Sequence, residues 1–215
     1  MSGLTEFQAE VARLFFSLPA SDGFLLAGGG ALLVAGLTTR PTEDLDFFGE
    51  QGRSDVPAAR NQFEVAATAR GWTVERLQVS ESFARLHVHG DDDLLVDLAI
   101  DVSAGHPPVV SIVGPTFDPE ELAGRKLIAL FDRAEARDFA DVFVLASRFG
   151  RRVLLDRAAD IDAGFDLGVL AAMMRTLDRF ADEEIPVDGI SATELREFFA
   201  TWADELDRPG PPPTG

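Results

Sequence analysis

The stretch AGGGALLVAGLTTRPTEDLDFF, residues 27–48, restricts this chain more than any other part of it. A short apolar run, Phe24 to Ala27, stops at three glycines, and a second apolar run then carries Asp44 and Asp46 one residue apart. Alternate side chains of an extended strand share a face. Arg40, Thr42, Asp44 and Asp46 therefore point one way while Leu45 and Phe47 enter a core, and two carboxylates so placed can grip one metal ion. Gly28, Gly29 and Gly30 read as a turn that opens a short helix over Ala31 to Ala35, ending at Gly36. A turn of this kind offers backbone N–H groups and a positive dipole end to phosphate.

The rest of the first half supports that stretch. Residues 4–18 predict an amphipathic helix with Phe7, Val11, Leu14 and Phe15 on one stripe. Pro57 to Arg70 predicts a helix stopped by Gly71, and Trp72 to Leu77 and Ala84 to Val88 alternate as half-buried strands. After the turn Gly90-Asp91-Asp92-Asp93, the segment LLVDLAIDV puts Leu94, Val96, Leu98, Ile100 and Val102 on one strand face. Asp97 and Asp101 fall on the other. Asp97 is the third carboxylate, with Asp101 as the alternative on the same face. Asp44, Asp46 and Asp97 together suit a pair of magnesium ions, which take carboxylate and phosphate oxygens and can stabilise both ends of an in-line phosphoryl displacement.

Composition shifts after Pro107-Pro108. Asp118-Pro119-Glu120-Glu121 predicts the start of a helix running through Phe131. Asp138 predicts the cap of a second helix ending at Phe149, Asp166 to Ala181 reads as a third, and Ser191 to Glu194 is a capping box for a fourth through Leu206. The closing PGPPPTG predicts disorder. The organisation is an α/β lobe over 1–115, a helical lobe over 116–208 and a disordered tail over 209–215.

Charge and composition narrow the partners. A net charge of −18 argues against a broad electrostatic grip on nucleic acid, which needs basic surface. Arg125, Lys126, Arg133, Arg137, Arg148, Arg151, Arg152 and Arg157 nevertheless form a local basic stretch, readable either as phosphate-binding or as a solvated face that neutralises nearby acids. Lys126 is the single lysine, which points to a site needing a compact, rotatable cation of the kind a triphosphate takes. His87 and His89 share a strand face with Arg85. They read as surface histidines, because magnesium suits the aspartates and no third histidine is near. The absence of cysteine, of a bilayer-length apolar run and of a signal peptide predicts a cytoplasmic protein with no membrane association.

The ordered set Gly28-Gly29, Arg40, Thr42, Asp44, Asp46, Phe47 and then Asp97 resembles the nucleotidyltransferase superfamily with the DNA polymerase β-like fold. With Lys126 to Leu130, Arg133, Arg137-Asp138 and Asp141 added, the chain resembles the AbiEii/AbiGii nucleotidyltransferase toxins of bacterial type IV toxin–antitoxin pairs, which include mycobacterial toxins. The likeness covers about residues 20–150. It implies an α/β (α+β) polymerase β-like lobe with a mixed sheet, followed by a helical lobe completing the nucleotide site.

By the same resemblance, Asp44, Asp46 and Asp97 hold two Mg²⁺ ions, with Asp97 also a base toward the incoming hydroxyl. Gly28, Gly29, Gly30, Arg40 and Thr42 cradle the NTP and Lys126 contacts its triphosphate. Asp138 sits near the nucleotide or orients Lys126 or Arg137, although Arg137-Asp138 also reads as an ion pair, with Asp141 the partner of Arg137 one turn on. Many members carry a serine where this chain has Gly30, which leaves phosphate to backbone N–H groups alone. The implied activity moves NMP from an NTP to the 3′ end of tRNA and blocks translation, with a cognate antitoxin as protein partner. A protein or small-molecule acceptor such as an antibiotic, or a non-catalytic nucleotide-binding module, are the alternatives.

Overall fold

Thr5 opens the first helix, α1 (Glu6–Phe16), by a reciprocal exchange in which its hydroxyl accepts from the Gln8 N–H and the Gln8 side chain accepts from the Thr5 N–H. Two donors without partners inside the helix are satisfied at once. Phe7, Val11, Leu14 and Phe15 are buried along one stripe, as the 3.6-residue period requires. The structure is a computed structural model that describes residues 3–186 and 191–208, so the predicted tail over 209–215 lies outside the described residues. The chain divides into two compact units, one up to Leu122 and one from Ala123 onward.

The first unit is built on a seven-stranded sheet in the order β3-β4-β5-β2-β1-β7-β6. The strands are β1 (Phe24–Ala27), β2 (Asp44–Glu50), β3 (Thr73–Val79), β4 (Phe83–His89), β5 (Asp93–Asp101), β6 (Val109–Val110) and β7 (Pro115–Thr116). The sheet is mixed, as expected: β2 runs antiparallel to β1 and parallel to β5, while β3, β4 and β5 form an antiparallel meander. Leu45 and Phe47 on β2, Val96 and Leu98 on β5, and Ala84 and Leu86 on β4 are abreast in register and buried. That face is covered by α1 and by α3 (Val56–Ala69), with Phe15 stacked 4.2 Å from Phe47 and Phe63 edge-on at 6.2 Å. The larger of these side chains contribute on the order of 1.5–3 kcal/mol each on removal from water, which fixes the register. A one-residue slip would turn the whole set to solvent.

Two expectations for this unit change. The glycines do not precede the short helix: α2 runs Gly28–Val34, so they form its first turn. Glycine is a poor helix former, and its use here follows from close packing described below. Val102 lies beyond β5 and is 53% exposed, so the apolar face of that strand ends earlier than alternation suggested.

The second unit contains most of α4 (Pro119–Asp132), then α5 (Ala136–Phe149), α6 (Arg151–Ile161), α7 (Leu167–Met174) and α8 (Ala192–Leu206). Phe139 meets Phe199 edge-on at 5.0 Å, and Trp202 is buried beside them. Asp138 is not the cap of α5. Glu135 occupies that position, and Asp138 stands at the third helical residue, accepting from the Glu135 N–H at 3.3 Å. The predicted third helix is shorter, ending at Met174 and continuing as a 3₁₀ turn over Arg175–Arg179. Helix α6 was unanticipated. Its sequence RRVLLDRAADI buries only Leu154 and Ala158, too few apolar positions to show a period.

Candidate active site

Strand register brings two of the three aspartates abreast. Asp46 on β2 pairs with Asp97 on β5, which pairs in turn with Arg85 on β4. Asp44 stands one row along on the same face. Asp101 pairs with Glu50, about 13 Å further down the sheet at 3.3 Å per residue, so Asp97 and not Asp101 belongs with the pair. Asp97 is buried, and both its oxygens accept from Arg85, at 2.9 and 2.6 Å. The Arg85 guanidinium has its pKa raised, first by that hydrogen bond, against desolvation, and then by the charges of Asp97, Asp44 and Asp46. All three carboxylates therefore act on one point.

The loop before β2 is tied to the same row. Thr42 is buried and donates from its hydroxyl to Asp44 Oδ1 at 2.7 Å, while Gln8 of α1 donates to the Thr42 carbonyl at 2.7 Å. Arg40 donates to the Pro41 carbonyl at 3.0 Å. The glycines fit against these residues. Gly28 has φ +58°, and a Cβ there would overlap the Asp46 carboxylate. At Gly29 a Cβ would come within 2.6 Å of Thr42 Oγ1, and at Gly30 within 2.9 Å of Leu45 Cδ2. Position 30 thus faces the apolar core. A hydroxyl there would not reach phosphate, and the position directed at Thr42 and Arg40 is Gly29.

Gly28→Ala tests this packing against Gly36→Ala, where φ is +64° but nothing lies within 4 Å. Both substitutions pay about 1–2 kcal/mol for the left-handed conformation, but only Gly28→Ala displaces Asp46. Urea unfolding should show both variants destabilised, while nucleotidyl transfer falls by more than about tenfold in Gly28→Ala alone, equivalent to about 1.4 kcal/mol of barrier. Equal activity in the two would mean that the Asp46 position is immaterial.

In the second unit Lys126 is buried, with Nζ 2.8 Å from Asp141 Oδ2 and 3.4 Å from Asp138 Oδ1. Arg133 reaches Asp138 from the other side, through Nε at 3.0 Å and Nη2 at 3.1 Å. Burial pushes the Asp138 carboxyl up, but the Arg133 hydrogen bond and the charges of Lys126 and Arg133 outweigh it and hold the pKa below its ordinary value. Asp141 is buried and partners Lys126, a role that the i+4 pairing with Arg137 did not anticipate. Arg137 meets Glu135 at 2.8 Å.

Two residues were missed as members of these clusters, and both left a trace in the sequence. Arg85 alternates onto the outward face of its strand, but its pairing with Asp97 depends on register, which no local pattern gives. Asp141 lies three residues after Asp138, a spacing that puts both on one helix face. The basic stretch is largely neutralised: Lys126, Arg133, Arg137, Arg151, Arg152 and Arg157 each pair with a carboxylate. A hollow of about 560 Å³ elsewhere on the first unit, walled by Phe24, Glu50, Arg53 and His106, includes none of the candidate residues. Its Arg53 is satisfied by Asp22 at 2.7 Å.

A mixed sheet of this order, with aspartates on its two central parallel strands and a glycine-opened helix against them, is the architecture of a nucleotidyltransferase. Solved structures share it. JHP933 from Helicobacter pylori is 20% identical, aligned over 94% of this chain and 93% of its own, with a TM-score of 0.55. MenT4, a nucleotidyltransferase toxin from Mycobacterium tuberculosis H37Rv, is 16% identical over 93% of this chain and 83% of its own, with a TM-score of 0.55. At such identities the likeness is one of fold. No curated protein matches the chain in sequence. The profile of the nucleotidyl transferase AbiEii toxin family, of type IV toxin–antitoxin systems, matches residues 12–209, and the chain belongs to that family. It is accordingly an enzyme of the nucleotidyltransferase class.

Proposed function

We propose that this chain moves a nucleoside monophosphate from an NTP to the 3′ end of tRNA, in the cytoplasm and under the control of a cognate antitoxin, with Mg²⁺ held by Asp44, Asp46 and Asp97. The observation that carries this reading is the row Asp46–Asp97–Arg85, with Asp44 beside it. Hard oxygen donors on adjacent strands suit magnesium. A carboxylate offers about four lone-pair sites, so Asp97 can keep Arg85 and still present oxygen to a cation. Bound Mg²⁺ supplies Lewis-acid polarisation of the phosphate oxygens.

The acceptor oxygen forms a bond to the α-phosphorus while the α–β bridging P–O bond breaks, and pyrophosphate leaves. Asp44 and Asp46 set the position of the charge. Asp97 helps to hold the cation beside Arg85 and serves as the base that takes the hydroxyl proton, which then passes to solvent. The first N–H groups of a helix have no partner within it, so Gly29 and Gly30 offer theirs to phosphate beside Thr42 and Arg40. Lys126, fixed by Asp138 and Asp141, is assigned to the triphosphate charge. No described helix is long and apolar enough to cross a membrane.

The neutralised basic stretch favours one second reading, in which the acceptor is a protein or a small molecule. Purified protein incubated with Mg²⁺, total RNA and each α-labelled NTP decides between them. Label in tRNA-sized RNA, lost on adding EDTA, is expected. Label confined to protein or a metabolite removes the tRNA acceptor, and no label on any acceptor removes the transfer reading.

A further inference from the structure

The same sheet face carries a second constellation that the aspartate chemistry does not use. One row along from Asp97, Glu75 on β3 pairs with His87 on β4, and His89 follows two residues later on the same side. One ligand atom from each of Glu75, His87 and His89 lies within 4.8 Å of the other two, and the two imidazole rings are 4.0 Å apart. Among the described residues this is a set of mixed nitrogen and oxygen donors. Asp93 completes it: its Oδ1 is 2.6 Å from His89 Nδ1 and 3.9 Å from His87 Nε2.

We propose that Glu75, His87 and His89 bind a divalent transition ion, zinc by preference, at a site separate from the magnesium aspartates. An ionised carboxylate only accepts hydrogen bonds, so Asp93 holds the His89 proton on Nδ1 and leaves Nε2 free. That is the carboxylate–histidine arrangement that orients a metal-binding imidazole. Two imidazoles and a carboxylate with room for water match zinc, whose bonds of about 2.0–2.1 Å to nitrogen put tetrahedral ligands about 3.3 Å apart. The ligand atoms need only close from their present spacing by side-chain rotation, which half-exposed histidines and an exposed glutamate permit. Magnesium, which prefers a shell of oxygens, is poorly served by this set.

The ion would clamp β3 to β4. Strand β3 is the edge of the sheet and is exposed at every residue but one, with Leu77 48% and Val79 46% exposed. It has little buried apolar surface to hold it, so a cross-strand metal bridge is a substantial addition. His87 stands two strands from Asp44, separated by Leu95, or about 10 Å at 4.8 Å per strand. The two sites are therefore distinguishable by mutation. His87 and Asp93 also line a hollow of about 370 Å³ that includes Thr42, so zinc occupancy borders the loop that supports Asp44.

The test is calorimetric titration of ZnCl₂ into the untagged full chain after removal of adventitious metal. One equivalent is expected at micromolar affinity, with millimolar Mg²⁺ failing to compete. His87→Ala and His89→Ala should each weaken binding by at least about tenfold, as losing a direct ligand costs no less than the about 10–100-fold of losing an outer partner. Asp46→Asn should leave zinc affinity within about twofold, since that residue belongs to the other row. Hydrogen exchange of β3 should slow on adding zinc while that of β1 stays constant. If circular dichroism shows a histidine variant misfolded, Glu75→Gln at its exposed position gives the decision, with severalfold weaker binding expected. No zinc uptake by wild type, or affinity unchanged in the histidine or Glu75 variants, overturns the site.

Discussion

Asp46→Asn is expected to reduce nucleotidyl transfer by about a thousandfold or more while leaving the thermal unfolding midpoint nearly unchanged. Asparagine matches aspartate in shape but removes the charge, and the loss of a metal's several kcal/mol of charge stabilisation corresponds to about three decades in rate. Asp46 is a cleaner probe than Asp97. Removing the Asp97 charge also strips Arg85 of the partner that holds it through two hydrogen bonds, so activity and structure would fall together. Asp101→Asn on the same strand serves as the control, because Asp101 pairs with Glu50. Its activity should stay within about threefold of wild type, as expected of a surface substitution away from the site. Steady-state transfer rates with saturating Mg²⁺ and NTP decide the matter. Comparable losses in the two variants would mean that the reacting centre lies elsewhere along the sheet.

The aspartate row was legible because period-two alternation is a local property: Leu45 and Phe47 must be buried together, which sends Asp44 and Asp46 the other way. The partner of Asp97 was not. Arg85 is twelve residues away across a hairpin, and its arrival opposite Asp97 depends on the length of the turn between β4 and β5, which sets their register. Glycine chemistry was read in the wrong sense for a similar reason. Three glycines imply a turn when only propensity is known, whereas they stand in the first turn of α2 because Asp46, Thr42 and Leu45 leave no space there for a Cβ atom. In the second unit, capping logic placed α8 correctly and misplaced the start of α5, since Glu135 and Asp138 compete for the same end. Asp138 won the buried position because Lys126 and Arg133 converge on it.

Lys126→Met should be the most destabilising substitution of a charged residue in the second unit. Methionine fills much of the same volume but takes the ammonium 2.8 Å from Asp141 away and removes one of the two cations on Asp138. Breaking a buried pair on one side costs about 3–5 kcal/mol, because the remaining charge is stranded. The effect should depend on pH in a defined direction. In wild type the Asp138 pKa is lowered on folding, so the stability it contributes is present above the ordinary carboxylate value of about 3.9 and is lost as pH falls through the folded-state value. In Lys126→Met one of the charges that lower it is gone, the upward push of burial counts for more, and Asp138 takes up its proton at higher pH. The stability difference between wild type and variant, measured by urea unfolding, should therefore be largest near neutrality and shrink toward pH 4. Lys126→Arg separates structure from chemistry. Arginine restores a cation to the two carboxylates and should recover most of the stability, but its planar fork does not replace a rotatable ammonium. Transfer activity in Lys126→Arg should remain at least about tenfold below wild type, a difference of about 1.4 kcal/mol. Recovery of activity in step with stability would show that Lys126 serves only to neutralise Asp138 and Asp141.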